Sequence, residues 1–206
     1  MTRQQIIFLL AGFTAGIITV AFGKVSLTVL SIGVGPLFFL AILTAIAFTD
    51  SWPYLGRGFW RYVLAACVST AAYILALFTF WILGGYLTNL LGSRGSTNLS
   101  EFRLDMWIGL IAAALVAAVC IELMAYVLTG KWSNIVLARL VGAGILSIVV
   151  TFIATRAVRP VGNLPLLYYW AFFGILFSFG EALFCGLVGA QIRGASQPQQ
   201  QTVPAT

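Results

Sequence analysis

The sequence predicts an all-α fold: a polytopic transmembrane helical bundle of six spanning helices joined by short loops. Three observations carry this. Apolar residues (AVILMFWYC) make up 61% of the 206 positions, mean hydropathy is +1.04, and only 8% are charged, against ~25% in an ordinary soluble domain. Apolar runs recur at about 20 residues, the length a helix needs to cross a ~30 Å hydrocarbon core. Trp52, Trp60, Trp81, Trp107, Trp132 and Trp170 all fall at or near the ends of those runs, where a ring can keep one edge wet and one dry. A soluble exterior must be largely polar. A soluble enzyme, a nucleic-acid-binding domain and a disordered chain are therefore excluded.

The first helix is expected over residues 5–22 and the second over 26–48, with a very tight turn at Gly23-Lys24 between them. The third covers 62–83 and can continue past Gly84-Gly85 to 91. The fourth spans 106–129, the fifth 134–155 and the sixth 166–190. These runs are too long, and too evenly apolar, for the alternating strands of a membrane barrel. Residues 1–194 read as one six-helix domain and 195–206 as a disordered Gln/Pro-rich tail. Arg3 and the run 6–20 resemble a signal peptide, but no A-x-A site follows, so an uncleaved first span is expected.

Six spans put both termini on one side. That side carries Arg3, Arg57, Arg61, Lys131 and Arg193, with Arg139 as a possible sixth cation. The other carries Lys24, Arg94, Arg103, Arg156 and Arg159. The near-tie leans only slightly toward cytoplasmic termini in a plasma or inner membrane. The net charge of +6 comes from cations scattered singly at span ends, which suits phospholipid headgroups better than nucleic acid. The lipid bilayer is thus the expected partner, nucleic acid is not, and membrane-protein partner subunits are possible.

Several chemistries are removed by absence. The chain has no histidine, which excludes His-ligated haem, Ser-His-Asp and Cys-His hydrolysis and HExxH proteolysis. Cys67, Cys120 and Cys185 are odd in number, lack CxxC spacing and sit in apolar runs, so they read as small packing residues. Asp50 and Asp105 lie at span ends, not paired within spans as an intramembrane aspartyl protease requires. No enzyme activity, cofactor or metal site is expected.

Small residues recur at four-residue spacing: Ala11/Ala15 and Gly12/Gly16 in the first helix, and Gly174, Ser178, Ala182, Gly186 and Ala190 in the sixth. Such stripes let helices approach closely in lipid. They serve either packing within the chain or docking of another subunit. Gly33, Gly35 and Pro36 interrupt the second run. A structural kink is the simpler reading, and a broken helix at a transport site the sharper one. Arg57, Arg61 and Trp60, with Trp52, Tyr54 and Phe59, form a basic-aromatic patch suited to anchoring at the interface or cradling an anionic headgroup.

Glu122 and Glu181 are the sharpest signal, because carboxylates inside spans are rare and face the protein interior. Glu122 lies nine residues before Lys131 and Arg139 eight after it, so both sit ~12–13 Å from the turn between helices four and five. Glu181, nine residues before Ala190, has a similar expected depth. The three are expected to form one buried polar cluster whose surplus negative charge retains a proton. A structural ion pair and a snorkelling Arg139 are the alternatives.

Six spans, short loops and the four-residue spacing Ala11/Ala15 and Gly12/Gly16 resemble, in outline, the substrate-binding components of energy-coupling-factor vitamin transporters. The turn at Gly23-Lys24 is shorter than the gating loop expected there, so no membership follows. Two functions are carried forward. One is a transporter or transporter component for a small solute, with proton or cation coupling through intramembrane Glu. The other is a non-catalytic subunit that scaffolds a larger membrane complex.

Overall fold

The computed structural model describes residues 2–23, 27–55, 58–90, 104–158 and 170–194. Among them are six α-helices and no strand: α1 Arg3–Gly23, α2 Leu27–Phe48, α3 Phe59–Leu90, α4 Leu104–Thr129, α5 Asn134–Val158 and α6 Ile175–Gly194. A 3-10 turn, Trp52–Tyr54, follows α2, and a π-helical turn, Trp170–Gly174, leads into α6. The third helix continues without a break through Gly84-Gly85, its longer alternative. Among the described residues five helices are long and apolar enough to cross a membrane, and Val34–Phe48 of α2 is a shorter apolar stretch. This is the architecture of a multi-pass membrane protein. Lys24, Arg57, Arg94, Arg103, Arg159 and the tail 195–206 lie outside the described residues.

The helices are apolar on every side, so what a residue faces is decided by packing and not by a polar seam. Phe38, Ile42 and Ile46 of α2, Ile121, Met124 and Leu128 of α4, Leu140 of α5 and Val188 and Ile192 of α6 belong to one buried apolar cluster. The outer surface is equally apolar: Leu10, Phe78, Ile82 and Ile153 are each more than half exposed. Lipid is the solvent that makes such a surface stable. The most extensive interfaces join α1 to α6 and α3 to α4.

One end of the bundle, here the proximal end, is tied by side-chain hydrogen bonds. Arg193 Nη2 donates to Thr2 Oγ1 at 2.6 Å, Gln4 Nε2 to the Thr49 carbonyl at 3.4 Å, and Gln191 Nε2 to the Lys131 carbonyl at 2.9 Å. The start of α1 and the end of α6 therefore meet. The α4–α5 turn closes there on Gly130, whose φ of +73° favours glycine. Its N–H donates to the Tyr126 carbonyl at 2.7 Å, capping an orphan carbonyl of α4.

Candidate functional site

The small-residue stripes are used inside the chain. A Cβ placed on Gly12 would collide with the Glu181 carbonyl and Cys185, and one on Gly16 with the Ser178 backbone. Gly189 seats the Phe8 ring, and Gly186 faces Leu9. With Ser178 and Ala182 buried, this face of α6 lies against α1, which brings the two backbones together as small residues allow in lipid. Gly174, the first member of the stripe, falls in the π-turn and not in α6.

Gly35 does the same for α2 and α3. A side chain there would strike the Thr70 backbone, and Ser69 Oγ donates to the Gly35 carbonyl at 2.9 Å. Gly33 and Pro36 lie in the same helix, which runs on through Pro36 as one assigned α-helix. The glycine at 35 thus provides close helix approach.

A second face of α6 carries residues 176, 177, 180, 181 and 184, and Phe173 of the π-turn extends it at the i, i+3, i+4 spacing of one helical stripe. This stripe lines an open-sided chamber of about 300 Å³ between α3, α4, α5 and α6. Its walls are mainly aromatic and small: Tyr73, Phe80 and Trp81 come from α3, Ala113, Ala114 and Ala117 from α4, and Gly144 and Ser147 from α5. Phe173 and Phe177 stack with ring centroids 6.2 Å apart, and the Phe172 and Phe173 rings meet edge to face at 4.9 Å. Toward the distal end Trp107 packs on Phe152 at 5.0 Å.

Glu181 sits in this wall with 2% exposure, and neither carboxyl oxygen has a hydrogen-bond partner among the described residues. Around it are two more unpartnered polar atoms, Tyr73 Oη and Thr19 Oγ1. Thr19 lies alongside the carboxyl without the geometry of a formed bond. Single unpartnered oxygens also occur on Glu122 (Oε2) and Gln191 (Oε1), but each of those side chains makes other hydrogen bonds. On α5, Ser147, Thr151 and Thr155 each donate to the carbonyl one turn back, at 2.7–2.9 Å. Unpaired buried polar groups are costly, so four such atoms around one point mark a site short of a partner.

The expected cluster of Glu122, Arg139 and Glu181 is not formed. Glu181 lies thirteen residues before the end of α6, about 20 Å from the proximal end, deeper than its expected position. Arg139 is exposed and forms no ion pair among the described residues. It lies one and a half turns into α5, near the proximal interface, where a guanidinium can snorkel. Glu122, fully buried, instead accepts the Ser133 backbone N–H at 2.8 Å and Gln191 Nε2 at 2.9 Å through Oε1. Ser133 caps α5, accepting the Val136 N–H at 3.3 Å, so the carboxyl stands at the positive end of a helix dipole.

Glu122 is therefore a fastening between α4, α5 and α6. Glu122→Leu should lower unfolding stability by about 1–3 kcal/mol, because the Ser133 N–H and the Gln191 amide lose their acceptor. Glu122→Gln keeps an oxygen at that position and should cost less than half as much. Arg139→Ala should change stability by no more than about 0.5 kcal/mol. Thermal unfolding in nanodiscs checks all three, and equal losses for the Leu and Gln variants would remove the fastening.

Of the basic-aromatic patch, Arg61 and Trp60 are exposed at the start of α3 beside Phe59, and Trp52 packs on Tyr62 with ring centroids 6.1 Å apart. Arg57 lies outside the described residues. Sequence reading missed Tyr73, Thr19 and Gln191. The first two lie in apolar runs without a motif. Gln191 is an isolated amide near a helix end, and a search for donors facing Glu122 would have found it.

No group of three or more metal-ligating side chains occurs among the described residues. Comparison with family models, with curated proteins and with solved structures finds no match to this chain.

Proposed function

We propose that this protein is a small multi-pass transporter, or the solute-binding component of one, and that Glu181 couples solute occupancy to a proton or cation. The observation that carries the reading is a carboxyl without a partner, in the wall of a chamber large enough for a small molecule. Its volume lies at the lower end of ligand pockets, which run ~300–1,000 Å³. A carboxyl at such depth is costly and marks a pathway or coupling site. The scaffold reading loses support, because the small-residue stripes that would dock a partner are engaged between α1 and α6.

We place the protein in a plasma or inner membrane with its termini in the cytoplasm. A cysteine introduced at Ser96 should then be labelled from outside intact cells. Labelling only after permeabilisation would invert the orientation.

The functional test is solute retention. Proteoliposomes incubated with a mixed small-metabolite extract, washed and read by mass spectrometry, should retain a solute that Ala113→Phe vesicles do not. The phenyl group fills the chamber from the α4 wall. Identical contents in wild-type, Ala113→Phe and protein-free vesicles would overturn transport.

A further inference from the structure

Resting on the solute-binding reading, we propose that the chamber takes a monovalent organic cation, with an ammonium head against Glu181 and an apolar, preferably aromatic, body among the rings. Three independent features select this class. First, both Glu181 oxygens lack a donor, and no Lys or Arg lines the chamber. An anionic ligand would meet a carboxyl with no compensating cation, whereas an ammonium supplies the missing donors and the missing charge. Second, six aromatic side chains, Tyr73, Phe80, Trp81, Phe173, Phe177 and Phe184, line the space. The negative face of an aromatic ring attracts a cation, and does so more strongly where water is excluded. Third, the remaining walls are small or aliphatic side chains with Phe172, and Ser147 is their one hydroxyl, already donating within its own helix, so they accept an apolar body and offer few groups to a sugar or a polar metabolite.

Size narrows the class further. At roughly 20–30 Å³ per non-hydrogen atom, 300 Å³ holds on the order of ten to fifteen such atoms. A single-ring amine fits.

The charge balance of entry is explicit. A buried carboxyl needs one neutralising partner, and a proton and an ammonium compete for it. Entry of R–NH₃⁺ breaks the O–H bond of the carboxyl, leaves a carboxylate paired with the ammonium and releases one proton to the medium. Exit reverses this, so the site exchanges one proton for one cation. The titratable groups facing Glu181 are the Tyr73 phenol from α3 and the Cys185 thiol from α6. The contributions of α1, α2, α4 and α5 are Thr19, Val34, alanines with Leu110, and Ser147 with Gly144 and Ile148, none of which titrates.

The test uses the full chain in nanodiscs and three probes of nearly one shape: 2-phenylethylammonium, neutral 2-phenylethanol and anionic phenylacetate. Binding is read by calorimetry, and proton release by a pH indicator in weak buffer. The ammonium should bind at least tenfold more tightly than the alcohol, with about one proton released per molecule bound, and phenylacetate should not bind. Glu181→Gln should bring ammonium and alcohol to equal affinity and abolish proton release. The wild-type selectivity and proton count stand without the variant, should it fold poorly. Equal binding of ammonium and alcohol to the wild type, lost in Ala113→Phe, would overturn the cation assignment and leave the solute-binding reading intact. Binding of none of the three would overturn this ligand class, while solute retention by proteoliposomes judges the broader reading separately.

Discussion

Gly16→Leu is expected to be the most damaging single substitution in the chain, costing more than about 3 kcal/mol of unfolding stability in mixed micelles. A Cβ at Gly16 meets the Ser178 backbone, and one at Gly12 meets the backbone carbonyl of Glu181. Neither obstacle can rotate away, so the two helices must separate and lose the contacts that hold them in lipid. Gly12→Leu should follow closely. Gly186→Leu should cost less, because the first atom in its way is a Leu9 methyl at 2.9 Å, the far end of a flexible side chain. Leu187→Phe, at a half-buried position, should be the mildest of the four. A Gly16→Leu protein that unfolds at the wild-type denaturant midpoint would show that α1 does not rest on α6 at this point.

Glu181→Leu is expected to act in the opposite direction, raising stability by about 1–3 kcal/mol while removing binding at the chamber. The carboxyl has no partner to lose, and leucine relieves the cost of a buried polar group at nearly the same volume. Stability gained where function is lost is the usual signature of a residue kept for its chemistry. The contrast with Glu122→Leu is the informative comparison, since that carboxyl accepts two hydrogen bonds. Chemical unfolding of the two variants side by side measures it. A Glu181→Leu protein less stable than wild type would assign Glu181 to holding the bundle and withdraw it from the chamber.

The helices were legible because hydropathy and length are enough to define a span. Tryptophans such as Trp60 and Trp132, exposed near the proximal end, independently marked its borders. The pairing of helices was not legible. A four-residue spacing says that Gly12 and Gly16 share a face, but not that α6 covers it. The same limit hid the chamber. Phe173, Phe177 and Phe184 share a stripe, yet a helix that is apolar all round gives no sign of which stripe looks inward. The grouping of Glu122 with Glu181 failed on depth. The sixth helix was expected to end at 190 and runs to Gly194, while the Glu122 side chain reaches the loop residue Ser133. Errors of a few residues at helix ends move a side chain by several ångströms along the membrane normal.

The fastening at Glu122 also sets a timetable for biogenesis. Its acceptor oxygen is served by Gln191, 69 residues further along the chain, and Arg193 reaches back 191 residues to Thr2. When α4 and α5 enter the bilayer during synthesis, α6 has not yet been made, and half of the Glu122 hydrogen-bonding is missing. The α1 face at Gly12 and Gly16 is uncovered over the same interval. Such distant contacts form late, so the nascent protein still spends the translation of the 36 residues from Val158 to Gly194 with a polar group and a bare helix face open to lipid or to chaperones. A chain stalled at Val158 should therefore crosslink to membrane insertion factors through a photoreactive residue at Gly16. Release of Gly194 from the ribosome should end that crosslink.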